Sequence, residues 1–285
     1  MFKKNSILAI VANGILYINT KKDALSKGDA PYQKNKLALI KSIFYGYRNW
    51  FKKYDYMAFS DTSERKRMNN KYQNKLLDFI IDEVGNDKVL LVEDANPYHL
   101  KLHEVYTKRI VSFSGIKVLI YALKMLIKTF KIKIKIDGTE VLDKIKNDNN
   151  LDIDYISLSR HQLTYYLCMK LLFILYKPKA IFVTDHYSNY PLIKAAKDLK
   201  IKVIECQHGL ISREHPAYNF DININSSYLP DFLLSFGDYI VNTLKDSRIL
   251  DVTQIVPVGS LYLEYMREYY KPKTEIKSLF NNYKK

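Results

Sequence analysis

The sequence predicts a Rossmann-like α/β fold, a mostly parallel sheet with flanking helices. Three observations carry that prediction. Short apolar runs alternate with stretches of helical periodicity, and parallel neighbours need such long crossovers. Only 9 Gly and 8 Pro in 285 residues argue against a turn-rich sandwich. A composition that is 47% hydrophobic and 26% charged belongs to a globular chain rather than a disordered, collagenous or coiled-coil one. The expected organisation is one Rossmann-like unit over 1–265, carrying a basic helical element at 116–130. A short tail, or the start of a truncated second domain, follows over 266–285.

The elements follow in chain order. Ile7 to Ala12 reads as a first buried strand; the preceding FKKN gives it some likeness to a signal sequence, but a small-residue cleavage pattern is poor. Leu37 to Phe51 is a helix candidate, and YDYMAFS at 54–60 is a strand. The charged run from Asp61 to Lys71 leads into a predicted helix from Tyr72 to Val84, and KVLLVED at 88–94 is a compact apolar strand. Ile116, Leu119, Ile120, Leu123, Leu126, Ile127 and Phe130 draw an apolar stripe along one helix, while Lys117, Lys124, Lys128 and Lys131 lie largely on another face. KIKIKI at 131–136 alternates with period two, as a strand does, before the Asp137-Gly138 turn. Thr139 opens a short helix through Lys146.

The second half alternates more plainly. His161 to Tyr176 is an apolar helix stopped at Lys177-Pro178, and AIFVTD at 180–185 is a buried strand. Ser188 is placed to cap the next helix with Pro191 in its first turn, and IKVIEC at 201–206 is another strand. LPDFLLSFGDYI gives a strand and a turn into a helix, and QIVPVGS at 254–260 gives a strand with a glycine turn. No Gly-rich dinucleotide fingerprint and no Walker A run accompanies this fold, so neither a nicotinamide cofactor nor a P-loop mechanism follows from it.

Charge and cysteines bound the partners. Lys+Arg 45 against Asp+Glu 30 gives a formal charge of +15, a field attractive to phosphates, anionic lipid or nucleic acid. Cys168 and Cys206 are too few for a disulfide framework and lack metal spacing, which fits a reduced cytoplasm. No apolar run reaches the roughly 20 residues that span a bilayer. The expected location is therefore cytoplasmic, with peripheral attachment at the inner face of the membrane through the basic helix at 116–130. Packing of that helix's apolar stripe into the core is the competing reading. No specific nucleic acid is expected, because no RNA-reading, zinc-finger, homeodomain or basic-zipper signature is present.

Chemistry concentrates in TDHYSNYP at 184–191 and ECQHGLISREHP at 205–216. If the two preceding apolar runs are adjacent parallel strands, their carboxyl ends bring Asp185, His186, Glu205 and His208 to one crevice, where open α/β sheets place ligands. His208 is the candidate general base, with Glu205 and Asp185 as acidic partners that orient the imidazole or favour its charged form. His186, Ser188, Gln207, Gly209 and Arg213 are candidate substrate contacts: Gln207 through two-sided hydrogen bonding, Gly209 through close backbone approach, and Arg213 through paired phosphate contacts. Upstream, Ser63, Arg65 and Glu93 are further candidate contacts to sugar or phosphate oxygens. Each of these has a structural alternative, in loop ordering, helix capping or a buried network. The ligand-bearing residues match no compact zinc motif, and Ser188 lacks a G-x-S-x-G elbow, so no metal site is expected.

Together, YDYMAFSDTSERKR, KVLLVED, IFVTDHYSNYPLIKAAKDLKIKVIECQHG, LPDFLLSFGDYI and IVPVGSLYLE resemble bacterial surface-polysaccharide glycosyltransferases with a two-Rossmann, GT-B-like arrangement, mainly their N-terminal half. The resemblance covers most of residues 50–264. A fainter likeness to polymer glycerophosphotransferases rests on His208-Gly209 alone. The resemblance implies a metal-independent transferase of capsule or O-antigen synthesis, moving a sugar from a nucleotide sugar to a glycan or lipid-linked acceptor, with no cofactor. In such enzymes the N-terminal domain addresses the acceptor and the C-terminal domain holds the donor. A full donor domain is not expected within this chain, so a partner subunit supplying one, or a noncatalytic acceptor-binding module, stands as an alternative.

Overall fold

Tyr56–Asp61 places Met57 and Phe59 on one side and Ala58 on the other, all buried, as a central strand requires. It is β1 in the computed structural model, which describes residues 41–96, 98–132, 136, 138–148, 150, 154–219 and 224–269. The strands that follow are β2 (Arg65–Met68), β3 (Lys71–Asn74), β4 (Val89–Asp94), β5 (Ile110–Ser112), β6 (Ala180–Val183), β7 (Lys202–Cys206), β8 (Phe232–Ser235) and β9 (Ile255–Pro257). The helices are α1 (Asp78–Val84), α2 (Ser114–Thr129), α3 (Thr139–Asp148), α4 (Tyr155–Tyr176), α5 (Tyr190–Asp198), α6 (Asp238–Leu244) and α7 (Leu261–Tyr269).

Seven strands form one sheet in the order β5-β4-β1-β6-β7-β8-β9, and every pairing in it is parallel. From β1 the chain builds outward through β4 to β5, then returns to add β6 beside β1 and continues through β9. The winding direction reverses at the β1–β6 junction, the position where open α/β sheets form a crevice. Val183 and Glu205 are register partners, so the two apolar runs preceding the chemistry-bearing loops are adjacent parallel strands, as the sequence reading required.

Side-chain alternation sorts the core into two faces. Met57, Phe59, Leu90, Val92, Ile181, Val183 and Val203 meet helices α2, α4 and α5 on one of them. Ala58, Val89, Leu91, Phe182 and Cys206 meet Leu77 and Ile81, at α1, on the other. Cores of this size stabilise by removing apolar surface from water, at about 25 cal/mol per Å².

Three local expectations are corrected. The stretch after Asp61 is not a lead-in to one long helix from Tyr72: it is the antiparallel hairpin β2–β3, and α1 starts only at Asp78. Asn69 and Asn70 join the two strands with φ of 46° and 63°, the left-handed pair that a two-residue hairpin turn demands. Asn189, not Ser188, precedes α5, although Pro191 does sit in its first turn. The stripe on α2 is divided: Ile116, Ile120 and Ile127 are buried, whereas Leu119, Leu126 and Phe130 are exposed. The predicted strand at Ile7 to Ala12, the middle half of the KIKIKI run, the start of the Leu37 helix and most of the 266–285 tail lie outside the described residues.

Candidate functional site

The loops that leave β6 and β7 lie side by side because the strands do. Glu205 is still inside β7, on the face it shares with Val183 and Leu233, so the packing over that face encloses it completely. Its Oε1 accepts hydrogen bonds from the His186 N–H at 3.2 Å and from the Tyr218 hydroxyl at 2.6 Å, and Oε2 lies 3.0 Å from His186 Nδ1. His186 Nε2 is 2.9 Å from the Ala217 carbonyl oxygen. A carboxyl group at one ring nitrogen and a carbonyl at the other both favour a proton on the ring, so the contacts favour the imidazolium form of His186. Burial by itself lowers the imidazole pKa, but the Glu205 charge and the two hydrogen bonds outweigh it and the pKa is raised.

His208 lies past the end of β7 and is half-buried. Its Nε2 is 3.0 Å from the Tyr187 hydroxyl, while Nδ1 has no hydrogen-bond partner. Burial pushes the Tyr187 phenol up to about 12, so it stays protonated near neutral pH. Asp185, also half-buried, accepts a 2.8 Å hydrogen bond from the Ser188 N–H. Burial raises its carboxyl above the usual carboxylate range; the bonds from Ser188 and the nearby His208 oppose the shift, and the Glu205 charge adds to it. A third histidine belongs to the group. His215 packs edge-on to Tyr218 at 5.0 Å and near Tyr187 at 5.9 Å, and burial, then His208 and His186, lower its pKa.

The remaining candidates separate. Gln207 is buried and fully engaged, donating to the Gly209 carbonyl at 2.8 Å and accepting from the Phe236 N–H at 2.7 Å, so it ties two strand-end loops together. The space beside Gly209 is open, with no atom within 4 Å of where a side chain would begin. Arg213 and Ser188 are exposed. Ser63 is exposed in the turn after β1, where its N–H donates to Asp61 at 2.7 Å. Arg65 and Glu93, expected to offer charge to a substrate, instead bind each other in the core: Arg65 Nε meets Glu93 Oε1 at 2.6 Å with both side chains buried. Asp78 lies 3.7 Å from Arg65 Nη1, and His99 Nδ1 lies 3.5 Å from Glu93 Oε2 while its ring stacks on Tyr45 at 4.2 Å.

Sequence reasoning missed Tyr187, Tyr218 and His215 as members of the β6–β7 group. The two that face the histidines from within the quoted strings, Tyr187 and His215, were visible as neighbours of His186 and Pro216; Tyr218 is brought in only by the turn of the loop. A cavity of about 40 Å³ opens beside Gln207 on the opposite face, between Leu76, Ile80, Cys206, Phe236 and Ser260, not at the Asp185–His208 edge. Among the described residues, no three His, Cys, Asp or Glu side chains gather as a group able to hold a metal ion, and no helix is long and apolar enough to cross a membrane.

No protein-family model matches the chain, and no curated protein does. Two solved structures align with 80% of it. One is the UDP-GlcNAc 2-epimerase of Methanocaldococcus jannaschii, at 15% identity and a TM-score of 0.42 over 52% of that protein. The other is the UDP-GlcNAc 2-epimerase of Neisseria meningitidis bound to UDP-GlcNAc, at 14% identity and a TM-score of 0.38 over 53%. The chain spans about half the length of each. At such scores the likeness assigns neither substrate nor reaction.

Proposed function

We propose that the chain is a glycosyltransferase of surface-polysaccharide synthesis, moving a sugar from a nucleotide sugar to a hydroxyl of a glycan or lipid-linked acceptor. The observation that supports this reading is His208: a half-buried imidazole just beyond a parallel strand, held at one nitrogen by a neutral phenol and near enough to Asp185 to lower its carboxyl pKa. The Tyr187 hydroxyl marks the place an acceptor hydroxyl would take. There His208 accepts the hydroxyl proton as the oxygen bonds to the anomeric carbon, and the sugar–phosphate bond breaks with its electron pair leaving on the nucleotide diphosphate. Asp185 offsets the positive charge that forms on the ring. The open space beside Gly209 admits the acceptor, and exposed Arg213 meets the departing phosphate. Glu205 and His186 act as positioning residues, fixing the loop at Ala217 from below rather than touching substrate.

The experiment is a panel of nucleotide sugars and polysaccharide-repeat acceptors incubated with purified protein, with products read by mass spectrometry. His208→Ala is expected to lower turnover about 10²–10⁴-fold, the range of a lost general base, while His103→Ala, at an exposed position, leaves it unchanged. Full turnover by folded His208→Ala removes the assignment.

A second reading, a noncatalytic acceptor-binding module, is favoured by one observation. The cavity of about 40 Å³ lies beside Gln207 on the opposite face, away from the Asp185–His208 edge, and is far below the roughly 300–1,000 Å³ that enclose a small-molecule ligand. Acceptor binding without product, for every donor and with candidate partner proteins added, selects it.

A further inference from the structure

The turn that carries His208 has little packing of its own. Gly209 has no side chain and open space where one would begin, and Leu210 is 80% exposed, so the chain is not anchored in the core again until buried Ile211. A turn this bare moves unless hydrogen bonds fix it.

Gln207 supplies them at both ends of the turn. Its backbone N–H donates to the Leu234 carbonyl at 2.9 Å, which continues the β7–β8 pairing. Its side-chain Nε2 reaches past His208 to donate to the Gly209 carbonyl at 2.8 Å, while Oε1 accepts from the Phe236 N–H at 2.7 Å. A carbonyl needs a donor and an N–H needs an acceptor, so the amide has one orientation only. The side chain is buried, and both of its polar atoms are committed to backbone groups. His208 therefore lies between a residue held in the sheet and a residue clamped by that neighbour's own side chain. Its ring keeps one further anchor, the bond to the Tyr187 hydroxyl.

We propose that Gln207 is the positioning residue for His208: its amide clamps the 207–209 turn to the turn leaving β8 and so holds the imidazole where the proton must be accepted. The effect on rate rests on the transfer reading, whereas the clamp itself does not.

Two substitutions cut the clamp in different ways. Gln207→Met keeps the length of the side chain and removes both bonds. Gln207→Glu keeps an acceptor for the Phe236 N–H, but its ionised form sets a carboxylate against the Gly209 carbonyl; protonation restores an O–H donor. The ionisable groups around that position are Glu205, Cys206 and His208 along the chain and, across the cavity, Lys75, which is paired with Glu64 at 3.0 Å. In the transfer assay Gln207→Met is expected to lower kcat about 10²-fold, the loss from misplacing a reacting group by about 1 Å, with KM within about twofold. Gln207→Glu is expected to lose as much at about pH 8 and to regain about tenfold by about pH 5.5, since burial raises a carboxyl pKa; the ratio to the unsubstituted chain at each pH removes the titration of His208 itself. Gly46→Ala, which strains the fold at Ile110, keeps full kcat. Nitrogen–proton correlation spectra of the His208 imidazole report the clamp with no substrate present: one set of signals in the unsubstituted chain, broadened or multiple signals in Gln207→Met. If that variant fails to fold, Gln207→Glu at the two pH values carries the same comparison. Unchanged His208 signals, unchanged kcat in a folded variant, or an equal fall in Gly46→Ala overturns the proposal. A raised KM at constant kcat also overturns it and returns Gln207 to substrate binding. Absence of transfer by the unsubstituted chain sinks the functional reading alone, and the His208 spectra then decide the clamp.

Discussion

Two buried ionisable groups lie on opposite faces of the same sheet. Arg65, Asp78, Glu93 and His99 gather on the α1 face, where Glu93 follows Val89 and Leu91 along β4. His186, Glu205 and Tyr218 gather on the other, where Glu205 follows Val203 along β7. The first group is enclosed, with Arg65 set between Glu93 and Asp78 in the core, although Arg65 Nη2, Glu93 Oε2 and His99 Nδ1 carry no hydrogen bond there. The second has a closed half inside the strand and an open half beyond it, at Asp185 and His208. The difference teaches that a carboxylate inside a strand is covered by whatever packs on its face, whereas a residue past the strand end stays within reach of a ligand.

Removing one member of each buried pair tests the comparison most severely. Arg65→Ala leaves two buried carboxylates without their cation, and Glu205→Ala leaves buried His186 without its carboxyl partner. Each is expected to cost about 3–5 kcal/mol in denaturant unfolding. A loss under about 1 kcal/mol for either would show that the pair is hydrated rather than closed.

The pH dependence separates the groups. Burial, partly offset by Arg65, Thr107 and the Asn74 N–H, raises the Asp78 carboxyl to about 6. Between about pH 4 and 6 the folded chain therefore holds a proton that the unfolded chain has released. Stability contributed at Asp78 is full below about pH 4 and declines as pH rises through 6; Asp78→Asn flattens that slope. His186 is also raised, but from about 6.5. Its contribution is full below that value and lost as pH climbs through the higher folded one. His186→Gln is expected to remove the alkaline decline and leave the acid one, measured by unfolding midpoints across pH.

Smaller effects sharpen the contrast. Gly46 adopts φ +67° in the turn before β5's edge contact, and a methyl group there would fall 1.9 Å from the Ile110 carbonyl oxygen. Gly46→Ala is expected to cost more than about 1 kcal/mol and to disturb the neighbouring Tyr45–His99 stack, leaving the β6–β7 group intact. His208→Ala has the least effect on folding, about 1 kcal/mol for its one hydrogen bond to Tyr187. A much larger loss would move His208 into the closed half.

Much of this architecture is written locally. Apolar runs of strand length at 54–60, 88–94, 180–185 and 201–206 are strands because a segment buried on both faces has no alternative to near-continuous apolar side chains. The amphipathic pattern of α2 fixed its helix, and the order of runs implied parallel neighbours. Asn69-Asn70 announced a hairpin that the charged residues around it obscured. β5 is three residues long and carries too little pattern to be read without its partner β4.

The sequence by itself placed Asp185, His186, Glu205 and His208 at the ends of two apolar runs; that those runs are neighbouring parallel strands, so that the four residues share one edge, was decided by the sheet. Which of them are enclosed was decided by the tertiary structure. Glu205 is buried because β7 extends one residue past it and its face of the sheet is covered. Arg65 is buried because the β2–β3 hairpin folds it onto Glu93, 28 residues away along the chain. Local pattern records whether a residue suits a strand or a helix, but burial is a property of what other segments bring to that face. A charge and its answering charge therefore become a closed pair only when the fold supplies both.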